Sequence, residues 1–237
     1  MGARLLNVFA VPGEVFEEVR ASQFRVSNWS VPVLLAAVVG MFSVWVLFSQ
    51  PTILQKLHEQ QEKALAKQVQ AGKLKQADVD RALDVISNPM LMKVAGALGA
   101  LVISVVRVFW WGLVLWLLGR VLLKVPFDFL KALEVSGLAL MIGVLGAIVS
   151  LLLQVNLGRL FATPSLALAL NDFDATSKSH LFLGAANVFS FWQLAVTSVG
   201  LARLARVPFL RAALPVFTFW MLQASFFILV GLGNLAL

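Results

Sequence analysis

The chain of 237 residues has no cysteine, no tyrosine and two histidines. The first absence excludes disulfides, thiolate nucleophiles and cysteine-ligated metal. The second leaves 7 tryptophans and 18 phenylalanines to supply the aromatic rings that sit at a membrane surface, a role that Trp29 and Trp45 fit near the ends of the first apolar run. Histidine is too scarce for an i, i+4 ligand pair, so Asp172, Asp174 and His180 read as a solvated loop, with no metal and no cofactor expected. Ser179-His180 beside an aspartate is not a triad signal, because triads are defined by geometry. Charged residues make up 13% of the chain, against ~25% in typical soluble domains.

Apolar residues take the place of charge, at 60%. They gather in five long runs, at 30–49, 94–118, 132–153, 184–204 and 212–233. Each is near the ~20 residues that a helix needs to cross a hydrocarbon core. A soluble domain cannot bury so many continuous runs. The expected fold is therefore all-α: a polytopic membrane protein with five transmembrane helices, an N-terminal interfacial helix and an extramembrane helical hairpin between the first and second spans. Residues 1–237 read as one five-span membrane domain, with 51–93 as the inserted hairpin. The opening mixes Arg4, Arg20 and Arg25 with Glu14, Glu17 and Glu18, unlike a secretory signal, so the first run is expected to remain in the mature protein.

Pro12 suits the first position of a helix, with acids in its early turns. Val11, Val15, Phe16 and Val19 form a stripe suited to the headgroup plane, or simply a lead-in to the first span. In the inserted segment Lys56, Glu59, Glu62, Lys63 and Lys67 alternate in sign beside Leu54, Leu57, Leu65 and Val69. Gly72 breaks this helix, and a second, about 76–86, ends at Asn88-Pro89 because the residue before proline is pushed out of the helical region. The hairpin is either a solvated connector or a surface on which protein partners dock.

The net charge of +7 would suggest nucleic acid in a soluble protein. Here Lys and Arg crowd the short connectors beside apolar runs, where they fix topology and meet headgroups, and no nucleic-acid partner is expected. With the N-terminus inside, nine Lys and Arg fall on the inner side and nine on the outer. Seven of the outer nine belong to the 51–93 segment, where only Lys56 and Lys93 lie near a span. Because the positive-inside bias acts near span ends, the expectation is N-terminus cytoplasmic and C-terminus exterior, in a bacterial inner membrane.

Leu6-Asn7-Val8-Phe9-Ala10-Val11-Pro12, then Val15-Phe16-Glu17-Glu18-Val19 and Asn28-Trp29 before a span, resemble the opening of bacterial Yip-domain proteins. Phe173-Asp174, Asn187-Val188-Phe189-Ser190-Phe191-Trp192-Gln193 and Gly200-Leu201-Ala202 before a basic turn resemble that domain's last two spans. The resemblance implies five transmembrane helices and a cytoplasmic N-terminus. Distant eukaryotic relatives interact with Rab GTPases and carry an Asp-Leu-Tyr-Gly-Pro motif; this chain has no tyrosine, so that role is not carried over.

Arg107 is the sharpest signal. A guanidinium at mid-bilayer costs roughly 2.5–3.5 kcal/mol on insertion scales and must face protein or water. Gln193 and Gln223 are the partners at similar depth, with Ser104 nearby and no acid at that level. Asn187, Ser190, Gln193 and Thr197 fall within an arc of about 120° on the fourth span. Arg107, Asn187, Ser190, Gln193, Thr197 and Gln223 thus form a candidate intramembrane polar cluster, acting either as interhelical glue or as a hydrated cleft for an anion. Gly96-x-x-x-Ala100 and Gly143-x-x-x-Ala147 permit close helix packing, and oligomers stay open. Two functions follow. The first is a non-enzymatic scaffold or adaptor in membrane organisation or trafficking-like processes, working through residues 51–93. The second is a conduit or binding site for lipid or a small anion around Arg107. An intramembrane enzyme lacks an acid pair, a metal cluster or a nucleophile with its base.

Overall fold

The computed structural model describes residues 2–72, Lys75, Val79 and 88–233. Two short helices, α1 (Gly2–Ala10) and α2 (Pro12–Ala21), precede α3 (Ser27–Leu47) and the charged α4 (Pro51–Gln70). Then come α5 (Pro89–Leu117), prolonged by one π-helical turn at Leu118–Leu122, α6 (Phe129–Leu157), the short α7 (Lys178–Ala185), α8 (Val188–Ala205) and α9 (Phe209–Leu229). Five helices, α3, α5 with its extension, α6, α8 and α9, are long and apolar enough to cross a membrane. Of the expected hairpin, α4 is its first helix; the second lies outside the described residues except for Val79.

α6 is the axis. Every residue from 132 to 140 is buried, so this helix is apolar all round because it is surrounded by protein. It packs against α3 and α5 on one side and α8, α1 and α2 on the other, while α9 packs on α8. The outward faces of α3, α5 and α9 keep Leu34, Phe42, Val102, Val106, Leu214 and Leu222 exposed, the surface that lipid covers.

The N-terminal stripe corrects its sequence reading. Val15, Phe16 and Val19 do not lie in the headgroup plane. They are buried, with Val8, in the core built by Val135, Leu138, Leu201 and Val216. The protein surface at the ends of α6 and α8 buries them more completely than an interface can, and only Val11 remains exposed. There are also two helices where one was expected. Pro12 has no N–H to continue α1, and it opens α2 at its first turn.

Local chemistry sets the ends of the spans. Asn88 accepts from the N–H groups of Met90 and Leu91, and Asp128 from that of Leu130. The fourth span begins later than its hydropathy suggests. The 184–187 stretch bends, α7 ends at Ala185, and Asn187 caps α8 by accepting from Phe189 N–H.

One buried carboxylate ties the elements together. Glu134, in the second turn of α6, has no accessible surface. Its Oε1 accepts from the Arg25 N–H at 3.0 Å and from Asn28 Nδ2 at 2.6 Å, and its Oε2 meets Lys131 Nζ at 2.8 Å. Lys131 Nζ also donates to the carbonyls of Val19 and Ser22, capping the negative end of α2. Four hydrogen-bonding groups from α2, α3 and the segment between them thus meet one ion pair of α6. One turn on, a Cβ on Gly137 would stand 2.3 Å from Trp29 Cα, so α3 crosses α6 almost backbone to backbone.

Removing one partner of a buried pair leaves the other charge unbalanced, at a cost of about 3–5 kcal/mol. Glu134→Ala is expected to lower the unfolding temperature of the detergent-solubilised protein by on the order of 10 °C. Glu134→Gln, which can still accept from Asn28, should lie between it and the parent in a thermal melt. Equal melting temperatures for all three would refute this role.

Candidate anion-binding cavity

Arg107 sits midway along α5 and points between α6 and α8. It lines a cavity of about 530 Å³ on the side of the bundle away from the N-terminus. The arginine keeps more than a third of its surface accessible, and the cavity is one of the spaces it borders. Among the described residues Arg107 has neither an ion pair nor a hydrogen bond. Ser104 turns its hydroxyl to Ala100 on its own helix and gives Arg107 nothing.

α8 supplies the facing wall through Asn187, Ser190 and Gln193. Asn187 spends its Oδ1 on the helix cap, and its backbone is fixed because Pro164 and Leu166 pair with the flanking Val188 and Ala186. The positive end of the α8 dipole therefore opens onto the cavity. α6 adds Ser150 and Gln154 with Gly143, Gly146 and Ala147. The glycines let α8 approach: Gln193 Oε1 lies 2.8 Å from where a Cβ on Gly143 would be, and Phe189 Cβ lies 2.8 Å from the same point on Gly146. The Gly143-x-x-x-Ala147 spacing thus lies on the cavity wall.

The end of the cavity away from the N-terminus is roofed. α4 folds onto the 158–177 connection: Lys56 Nζ donates to the Gly158 carbonyl, while Gln60 donates to the Phe173 carbonyl and accepts from Ala175 N–H. Leu57 of α4 and the stacked pair Phe161–Phe173, 4.6 Å apart, close the lining. Among the described residues the cavity lining contains one cation, several neutral hydrogen-bonding side chains and no acid. Uncompensated positive charge in a partly apolar chamber suits an anion.

Not every predicted residue joins this group. Thr197 is buried nearly three turns beyond Asn187 and does not line the cavity. Gln223 accepts from Trp110 Nε1 at 3.1 Å, linking α9 to α5 elsewhere. Sequence reasoning missed Ser150 and Gln154. They sit near the end of the third apolar run, where Gln154 reads as a span boundary. Its side chain instead holds the Leu160 carbonyl at 2.8 Å, so the helix continues to Leu157 and turns at Gly158. In the 172–180 loop, Asp174 Oδ1 accepts from Thr176 and His180 Nδ1 accepts from Asp174 N–H. Among the described residues no group of three acidic or histidine side chains could hold a metal.

Five spanning helices with a polar chamber between them define a polytopic integral membrane protein. The Yip1 domain profile matches residues 6–231, and the chain belongs to that family. No curated protein and no solved structure matches it.

Absence of native cysteine makes accessibility measurable without background. A cysteine at Ser190 should react with a water-soluble thiol reagent in the folded protein, while one at Thr197 should stay unlabelled. Protection of both positions would mean that the chamber is not hydrated.

Proposed function

We propose that the protein binds an anionic ligand, a lipid phosphate or a small carboxylate, in the chamber around Arg107, and that it does so without catalysing a reaction. The observation that carries this reading is the guanidinium facing Ser190 and Gln193, with no partner and no lining carboxylate among the described residues. An arginine at membrane depth with no counter-charge among the described residues is costly, and an incoming anion offsets that cost. The α8 dipole adds to the attraction, and the glycines of α6 provide room.

The scaffold or adaptor reading rests on residues 51–93. What is described of that segment turns part of its polar face inward. Lys56 and Gln60 hold the chain's own outer loop, and Ile53 is 1% exposed. This favours α4 as a roof over the chamber rather than as a free docking face. Roof and chamber together suit a ligand entering from the outer leaflet or the exterior. We place the N-terminal face in the cytoplasm. Its span ends carry Arg4, Arg20, Arg25, Arg120, Lys124, Lys131, Arg203, Arg206 and Arg211, in keeping with the positive-inside bias.

Decyl phosphate, compared with neutral decyl maltoside, serves as a probe on purified protein. The phosphate should raise the unfolding temperature of the parent. Arg107→Gln should weaken binding by about tenfold or more, the worth of one charge-assisted hydrogen bond. Gly146→Val, which fills the space between α6 and α8, should do the same. Binding unaffected by Arg107→Gln would overturn the proposal.

A further inference from the structure

A second hollow, about 610 Å³, lies on the opposite, N-terminal face, where α2 meets the turn between α8 and α9. Its charged lining is Glu17, Arg20, Arg203 and Arg206. Arg20 pairs with Glu17 on its own helix. Arg203 and Arg206 have no ion-pair or hydrogen-bond partner among the described residues. Arg203 instead reaches across to α2, where its Nη2 lies 3.1 Å from the place a Cβ on Gly13 would take. A guanidinium thus rests against the first turn of α2, the positive end of that helix. Three arginines and one glutamate line the hollow, so net positive charge remains beside the positive end of α2, and this favours a bound anion.

The backbone fixes where Arg206 stands. Arg206 caps α8 in the left-handed conformation, with φ of 54°. Glycine takes that position without strain, whereas a side chain is disfavoured there. On the opposite face the left-handed turns at 72, 158 and 231 are all glycine, whereas on this face the two positive-φ residues are Lys124 and Arg206. The N-terminal face accepts backbone strain and keeps a cation.

We propose that this hollow is a binding site for the phosphodiester headgroup of an anionic phospholipid, held by Arg203 and Arg206. The shape suits a lipid better than a free ion. Val199, Val207 and Phe209 line the hollow, and the adjoining first turns of α9 expose Phe209, Leu210 and Leu214 on the outer surface of the bundle, where an acyl chain would lie. The site is separate from the Arg107 chamber and does not depend on its reading.

The test uses the full chain purified in neutral detergent, with dioleoyl-phosphatidylglycerol and dioleoyl-phosphatidylcholine titrated in native mass spectrometry. Two arginines near the surface predict a preference for the anionic lipid of about tenfold or more. Arg203→Gln combined with Arg206→Gly should reduce it to about twofold or less, on the same per-arginine scale. Because glycine relieves the left-handed cap, Arg206→Gly alone should melt no lower than the parent without lipid, so loss of lipid binding is not loss of fold. Parent and double variant are compared in an Arg107→Gln background, so that anion binding in the chamber does not enter the reading. The proposal is overturned if the parent shows no preference, if the double variant keeps it, or if inorganic phosphate stabilises the protein as much as the anionic lipid does, which would mark a soluble anion as the ligand.

Discussion

A carboxylate sealed from solvent, Glu134, is the constraint on which this architecture rests. Its negative charge must be balanced inside the protein, and the balance comes from Lys131, from the Arg25 N–H before α3 and from Asn28 in the first turn of α3. Lys131 in turn occupies the carbonyls at the end of α2. The N-terminal helices therefore cannot lie at an arbitrary angle on the membrane. They are held against the ends of α6 and α8, and that placement creates the basic hollow beside Arg203. The same knot sets where α3 crosses α6, at Gly137 against Trp29.

From that fixed end the five helices diverge toward the opposite face. Small residues let α6 and α8 touch at Gly200 and Val135, then at Gly143 and Gln193, and again at Gly146 and Phe189. Beyond them the helices part around Ser150, Gln154 and Arg107, and the outer connection with α4 covers the gap. The bundle is thus tied at the N-terminal end by the Glu134 knot and opens into the Arg107 chamber toward the other. A membrane protein gains little from burying one apolar helix against another, because lipid is equally apolar. Close packing at glycine and a few polar ties supply the cohesion.

The two faces differ in charge as well as in packing. Among the described residues the left-handed turns on the face away from the N-terminus are glycines, at 72, 158 and 231, and those on the N-terminal face are Lys124 and Arg206. The two hollows follow this division. One holds a single arginine in a roofed chamber; the other displays arginines beside an apolar strip open to lipid.

The sequence alone determined the solvent of this protein. Runs of twenty or more apolar residues can be satisfied only by hydrocarbon, and a helix closes its own hydrogen bonds there, so five spans and an all-α fold were legible from hydropathy, as was the oddity of Arg107 within one of them. The motifs of Leu6–Val19 and Phe173–Gln193 carried the family. Periodicity also placed Ser190 and Gln193 on one face of one helix. It could not say which helix that face meets, so Thr197 and Gln223 entered the same cluster although the fold sends them elsewhere. The α2 stripe was visible too, but a stripe of valines has the same period whether it faces headgroups or protein. The tertiary structure decided that, and it decided that Glu134, Asn28 and Lys131 form one knot, and that Arg203 reaches Gly13. These pairings join residues from 3 to 190 positions apart. Their partners are chosen by how whole helices pack, which no local pattern of residues records.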